Sequence, residues 1–398
     1  MPVPPGSNQQ AQRIQAIFDD AQAKMILTSS TMLAKLQRQL DHLATLETLH
    51  WLTTDQQPHE ADATWQEIAM TDDDLALLQY TSGSTGSPKG AMLSHRNLLA
   101  HLELICQAFG AYADDVDAAS SVGVSWLPMY HDMGLMHILV PLYVNAATIF
   151  LSPTAFIEKP WRWLQAISRY KAAVSGGPNF AYELCLEKVT PEQRQTLDLS
   201  SWQIAFCGAE PIHAETLQRF ANTFATSGFR QSALYPCYGL AEATLLVSGG
   251  ERLEPPLFCT VSNTSLGNNQ VVETLPDKND AATLVSCGKS LLNQKILIVH
   301  PETCVTCPSD HVGEIWIAGP SIAQGYWGHP EETVQTFQAF LKNTGEGPFL
   351  RTGDVGFLQK GELFVVGRIK DMLIMQGQNH YPQDIEHTAS LSHPALKT

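Results

Sequence analysis

Hydrophobic and polar positions along the chain fall into two textures. From Gln9 to about Ile322, segments with helical spacing alternate with short runs rich in β-branched and apolar residues. The pattern predicts a strand at Leu75–Tyr80, a helix after Ser94, a strand at Ala147–Leu151 and a helix at Pro160–Tyr170. A strand at Ala172–Ser175, a helix at Phe180–Lys188, a strand at Gln203–Cys207 and a helix at Ala214–Thr226 continue it. Strand–helix alternation of this kind means mostly parallel sheet covered by helices. After Gly288 the texture changes. Lys295–Val299, Gly313–Ala318 and Glu362–Val366 are β-rich runs separated by Gly, Pro and Asp turns, which predicts a smaller, mostly antiparallel β subdomain. The polar stretch Gly249–Ser286 has no clear period and is expected to be a long surface insertion. The expected organisation is an α/β part at 1–285, a β-rich subdomain at 286–369, and a hinge with the start of a small further domain at 370–398.

Composition narrows the class. The 398 residues are 44% hydrophobic and 16% charged, as in globular proteins. With 24 basic against 40 acidic residues the formal net charge is −16, which argues against nucleic acid or an anionic membrane surface as the main partner. A local basic site remains compatible with that balance. The greasiest stretch, Leu135–Leu151, is interrupted by His137, Pro141 and Asn145 and reads as a core helix followed by a strand, too short to span a bilayer. No charged-then-apolar leader opens the chain, so secretion is not expected. Eight scattered cysteines read as reduced thiols of a cytoplasmic protein.

The strongest chemical signal is Tyr80-Thr81-Ser82-Gly83-Ser84-Thr85-Gly86-Ser87-Pro88-Lys89-Gly90, directly after an apolar strand. Its glycines let backbone N–H groups turn toward an anion, its hydroxyls add donors, and Lys89 adds a positive charge. A Walker-type loop needs four residues between its first glycine and Gly-Lys-Ser/Thr. Here Gly83 and Gly86 are two residues apart and Lys89 is followed by Gly90, so that reading fails on spacing.

This loop resembles the first signature of the acyl-adenylate-forming superfamily. Gly208-Ala209-Glu210-Pro211 at the end of a strand, Tyr238-Gly239-Leu240-Ala241-Glu242 after a loop, Arg351-Thr352-Gly353-Asp354 before a hairpin and Gly367-Arg368-Ile369-Lys370-Asp371 follow in family order. The resemblance implies a large α/β adenylating domain with a small β-barrel subdomain, and ATP and Mg2+ as its nucleotide and metal. It makes Thr81, Ser82, Gly83, Ser84, Thr85, Gly86 and Lys89 the phosphate cradle. Glu242, with Thr85, becomes the magnesium site. Tyr238 and Gly239 would meet adenine, with Gly208, Ala209 and Glu210 along its edge. Asp354 would accept the ribose hydroxyls, Arg368 would pair with ribose or α-phosphate, and Lys370 would be the hinge to a mobile lid.

Three further segments are similar to the fatty acyl-AMP ligase branch: Ser125–Leu135, Gly176–Tyr182 and Asn379–Glu386. That likeness implies a fatty acid as substrate and an acyl carrier protein as acceptor, in polyketide, lipopeptide or other lipid biosynthesis. His131 becomes the group that positions the reacting carboxylate or phosphate, and His131, Gly176, Gly177 and Phe180 become acyl contacts. Lys89, His131 and Arg368 are the expected catalytic groups. His131 and Asp132 capping the next helix is the competing structural role. The neighbourhood of Gly176–Tyr182 offers no carboxylate for a substrate ammonium, which disfavours an amino acid. A long-chain acyl-CoA synthetase and a non-catalytic nucleotide-binding remnant are the alternative readings. The run His300-x3-Cys304-x2-Cys307-x3-His311 carries four potential zinc ligands but only one Cys-x2-Cys pair, and is expected to be a turn between strands. Against full-length relatives both ends look cut, and the lid lysine of those relatives has no counterpart, so weak adenylation is expected of the chain by itself.

Overall fold

The computed structural model describes residues 8–40, 49–56, 66, 68–81, 88–112, 121–278, 280–375, 378–382, 385–386, 389 and 392. Its backbone is organised by one eleven-stranded sheet. In chain order the strands are β1 (Val122–Ser125), β2 (Ala147–Phe150), β3 (Val174–Gly177), β4 (Ile204–Cys207), β5 (Leu234–Gly239) and β6 (Leu246–Gly249), then β7 (Lys289–Ser290), β8 (Lys295–Val299), β9 (Gly313–Ala318), β10 (Leu350–Gln359) and β11 (Glu362–Arg368). Across the sheet the order is β8-β9-β10-β11-β7-β6-β5-β4-β3-β1-β2. Strands β1 to β5 pair in parallel, and every pairing from β5–β6 to β8–β9 is antiparallel. The two textures of the sequence are therefore two halves of one hydrogen-bonded sheet. The β-rich run expected as a barrel is joined edge to edge to the parallel strands through β6 and β7.

Helices α1 (Asn8–Ala21), α2 (His95–Ala108), α3 (Asp132–Val144), α4 (Trp161–Tyr170), α5 (Asn179–Lys188), α6 (Ala214–Phe224) and α7 (Pro330–Phe337) pack around it. Ser94 starts α2 as a capping box, its Oγ accepting from Asn97 N at 3.2 Å while Asn97 Oδ1 accepts from Ser94 N at 3.0 Å. Trp163 of α4 and Trp202 are fully buried with ring centroids 5.3 Å apart, edge to face. Their indole N–H groups donate to Ser175 Oγ at 2.8 Å and Ile204 O at 2.9 Å, which ties the aromatic core to β3 and β4. Truncating one such buried ring typically costs about 3–5 kcal/mol.

Three expectations shift. The strand placed at Ala172–Ser175 lies at Val174–Gly177, because Lys171 ends α4 in the left-handed region (φ 49°) and Ala172 and Ala173 make the turn. The helix placed at Ala214–Thr226 ends at Phe224 and tightens into a short 3-10 turn. Gly249–Ser286 is not patternless. Phe258–Ser262 and Ala281–Val285 pair as an antiparallel ribbon, with a short helix at Asn263–Gly267 between them. The five-residue alternation Phe258-Cys259-Thr260-Val261-Ser262 buries Cys259 and Val261 only, which is too brief a period to stand out in a polar stretch.

Candidate functional site

A cavity of about 800 Å³ opens where the parallel strands end and runs back beneath α3. Its mouth is lined by loops that follow strands. Gly208 and Ala209 follow β4, Tyr238 and Gly239 close β5, Glu242 lies just beyond, and Asp354 and Arg368 come from β10 and β11. Thr81 and Lys89 line the cavity on either side of residues 82–87, which include Ser82, Gly83, Ser84, Thr85 and Gly86 and lie outside the described residues. Four cations, Arg13, Lys89, Arg368 and Lys370, line this cavity against the acids Asp132, Glu242 and Asp354. A chain of net charge −16 thus gathers positive charge at one concave place.

Each mouth side chain leans on a partner. Tyr238 OH donates to Asp354 Oδ2 at 2.7 Å, and Arg368 Nε donates to Asp354 Oδ1 at 3.0 Å. Burial nevertheless holds the Asp354 carboxyl above its ordinary pKa, with Arg368 and Tyr238 pulling the other way. The motif Arg351–Asp354 lies inside β10 and not ahead of the hairpin. Gly353 has φ 70°, a left-handed conformation that suits glycine, and β10 has an irregularity just beyond, between Val355 and Gly356. Ala209 sits at φ 67°, a strained position for a residue with a Cβ, and faces the same cavity. Glu242 Oε1 accepts from Tyr326 OH at 2.7 Å, and burial raises the Glu242 pKa. Lys89 Nζ stands 3.6 Å from Glu332 Oε1 and 5.2 Å from the centre of the Tyr326 ring.

His131 occupies the N-cap of α3 and faces the cavity. Its Nδ1 lies 2.5 Å from Asp132 Oδ1, and the same oxygen accepts Met133 N at 2.7 Å. The hydrogen bond between the His131 ring and the Asp132 carboxylate raises the His131 pKa. The capping role and the cavity-facing role coexist in this one pair. Asp132 is buried and engaged by the helix start.

Away from the mouth the cavity becomes an apolar arm. Met133, Met136, His137, Val140, Pro141 and Val144 line it at helical spacing, so one face of α3 forms its wall. Twelve residues at 1.5 Å each make this wall about 18 Å long. Phe109, Val122, Val174, Ile204 and Phe206 are among the residues that complete it. The outward face of α3 is also apolar, with Leu142 and Tyr143 exposed, so hydropathy alone does not show which face meets the cavity.

Not every expected residue reaches the cavity. Gly176 and Gly177 do not line it: a Cβ on Gly176 would meet Phe206 O at 2.1 Å, and one on Gly177 would meet the Trp126 ring at 2.6 Å. They serve close packing. Phe180 turns to Trp126, with ring centroids 5.8 Å apart, and Glu210 accepts Phe180 N at 2.6 Å, so neither side chain joins the lining. Lys370 does line the cavity, just past β11, while part of Asn379–Glu386 lies outside the described residues. The run His300–His311 connects β8 to β9. Its His300 Nδ1 accepts from the N–H groups of Glu302 and Thr303, each at 3.3 Å, and among the described residues no three metal-ligating side chains gather.

Two contributors escaped the sequence reading. Arg13 of α1 reaches the cavity, its Nη2 donating to Thr81 O at 3.4 Å. An arginine on an amphipathic helix gives no motif to find. Glu314 of β9 is buried and takes Arg351 Nη2 at 2.7 Å, Trp316 Nε1 at 2.9 Å and Gly353 N at 3.2 Å, so it frames the bend that presents Asp354.

The signature of the family described as AMP-binding enzyme matches residues 1–327, and the chain belongs to that family. Among its relatives, the medium-chain-fatty-acid–[acyl-carrier-protein] ligase JamA of Moorena producens is 47% identical over 390 residues, 97% of this chain and 65% of that protein. A 4-hydroxyphenylalkanoate adenylyltransferase of Mycobacterium marinum is 39% identical, over 95% of this chain and 61% of its own length. The chain spans about half to two-thirds of the length of the curated relatives it matches. A fatty acyl-adenylate ligase of Legionella pneumophila, solved in complex with acyl adenylate and pyrophosphate, superposes with a TM-score of 0.83 at 39% identity, over 96% of this chain and 65% of that one. The fold is therefore that of the adenylate-forming enzymes.

Proposed function

We propose that this chain forms the nucleotide and acyl sites of a fatty acyl-AMP ligase, which activates a fatty acid with ATP and releases pyrophosphate. The observation that carries the reading is the continuity of a cationic mouth with an apolar arm about 18 Å long, within one cavity. A fatty carboxylate held near His131 attacks the α-phosphorus of ATP, and the bond from that phosphorus to the pyrophosphate oxygen breaks as the new P–O bond forms. Lys89 and Arg13 hold the departing phosphates, Asp354 accepts the ribose hydroxyls, Tyr238 and the Gly208–Ala209 backbone bound the adenine, and Arg368 balances charge at ribose or α-phosphate. Glu242 fits Mg2+, since a single half-buried carboxylate lining the same cavity as Lys89 suits a hard cation that keeps several waters. When bound, the ion neutralises charge on the phosphates.

The name of JamA supports a carrier-protein thiol as acceptor. The chain's eight cysteines are all free thiols, which supports a reducing, cytoplasmic setting. No helix among the described residues is long and apolar enough to cross a membrane. The test is dodecanoate-dependent exchange of labelled pyrophosphate into ATP, with holo-carrier protein and coenzyme A offered in parallel as acceptors. Exchange that ignores the fatty acid would sink the reading, and faster formation of acyl-CoA would favour the synthetase alternative. Lys89→Ala should weaken binding of ATP–magnesium in calorimetry without loss of fold.

A further inference from the structure

The apolar arm contains one polar side chain in the middle of its helical wall. His137 lies six residues along α3 from His131, about 9 Å below the mouth. Its neighbours on that face are Met133, Met136, Val140 and Pro141, and across from it the Phe206 ring centre is 5.5 Å away. Among the described residues the imidazole has no hydrogen-bond partner. Burial pushes its pKa down to about 4, so at neutral pH it is uncharged and offers one N–H donor and one acceptor nitrogen. A plain alkyl chain filling the arm would leave both nitrogens dry, and an unsatisfied buried polar group is costly.

Resting on the fatty-acid reading of the arm, we propose that His137 is a subsite for an oxygen substituent in the middle of the acyl chain, so that the substrate class is hydroxy- or oxo-fatty acids. An extended chain advances about 1.25 Å per carbon, from a bond of about 1.5 Å at a near-tetrahedral angle. The subsite therefore meets roughly the seventh carbon from the carboxyl end. A hydroxyl there can either accept from the imidazole N–H or donate to its bare nitrogen, and a keto oxygen can accept from the N–H. Sites built to hydrogen-bond a substrate group discriminate strongly against analogues that lack it.

The test is calorimetry of the whole chain with non-hydrolysable acyl-sulfamoyl adenosines, using AMP alone as reference. The acyl groups are dodecanoyl, 7-hydroxydodecanoyl, 7-oxododecanoyl and 3-hydroxydodecanoyl. Either 7-oxygenated ligand should bind about tenfold tighter than dodecanoyl, as expected for one net hydrogen bond, and the 3-hydroxy ligand should gain nothing. His137→Leu should reverse the order, and His137→Gln should keep part of it and guard against misreading a folding defect. Equal affinity for plain and 7-oxygenated chains in the parent overturns the subsite while leaving the fatty-acyl arm in place. If no acyl ligand gains over AMP, the subsite and the arm reading both fall.

Discussion

At the mouth of the cavity Asp354, Glu242 and Lys89 each stand within 3.6 Å of a named polar partner. Along the arm, from Met133 to Val144, the cavity-facing side chains of α3 make no side-chain hydrogen bond among the described residues. The mouth is thus a set of point contacts, each fixed by another residue, and the arm is a surface fixed by helix packing. Point contacts fail when one partner is removed, because a buried polar group is then stranded. A surface fails when its volume is filled. The first break should therefore come at the residue that props the most mouth contacts. Glu314→Ala strands the Trp316 indole N–H and Gly353 N and leaves the Arg351 guanidinium with Pro301 O as its remaining partner. Breaking a buried ion pair of this kind costs about 3–5 kcal/mol. Thermal melts should show that loss, and the remaining folded protein should bind AMP more weakly as Asp354 loses its frame. A loss below about 1 kcal/mol would mean that β10 holds its bend without Glu314.

The arm should respond in the opposite sense. Val140→Trp adds a ring to a face that already meets empty volume, so stability should stay within about 1 kcal/mol of the parent, a typical range for a substitution without a clash. AMP affinity should not change. The advantage of dodecanoyl-sulfamoyl adenosine over AMP should fall by about 30- to 100-fold, since each buried CH2 contributes about 0.8 kcal/mol and the ring displaces several. A variant that loses AMP and keeps the acyl advantage would reverse the assignment of the two ends.

The contrast also explains what could be read from the chain without its structure. Lys89, Glu242, Asp354 and Arg368 sit in short motifs, because a loop that must aim a charged group needs particular residues next to one another. The strand–helix order was legible for the same local reason, and Lys295–Val299 and Gly313–Ala318 lie where their spacing placed them. The arm was not legible. Helix α3 is apolar on both faces, so the face that meets the cavity is decided by the sheet it packs on. Gly176 and Gly177 are ambiguous in a related way. Glycines beside an aromatic run suit a ligand approach as well as a close packing of β3 on Trp126 and Phe206, and only the three-dimensional neighbours separate the two. Arg13 and Glu314 act on residues 68 and 37 positions away, beyond any local pattern.

The finest distinction at the mouth concerns Lys89, which leans on Glu332. Glu332 lies in the first turn of α7, and both side chains of the pair are about one-third exposed. His329 Nδ1 stands 3.6 Å from the same Glu332 oxygen, and a backbone hydrogen bond, with smaller help from Lys89 and His329, holds the Glu332 carboxyl below its ordinary pKa. Exposed pairs of this kind contribute little to stability. On the proposed reading, ATP binding requires Lys89 to exchange Glu332 for phosphate oxygens, which leaves Glu332 as a negative charge close to a negative ligand. Glu332→Gln removes that competitor and that repulsion while keeping a side chain of the same shape. ATP should bind up to about fivefold tighter, a modest gain in keeping with a solvent-screened pair. The gain should shrink as salt is raised from 0.05 to 0.5 M, because the charges involved are partly exposed and screened. Calorimetry of parent and variant across that series measures both. Unchanged or weaker binding in the variant at low salt would show that Glu332 orients Lys89 for the phosphates, and that the pair is part of the bound state.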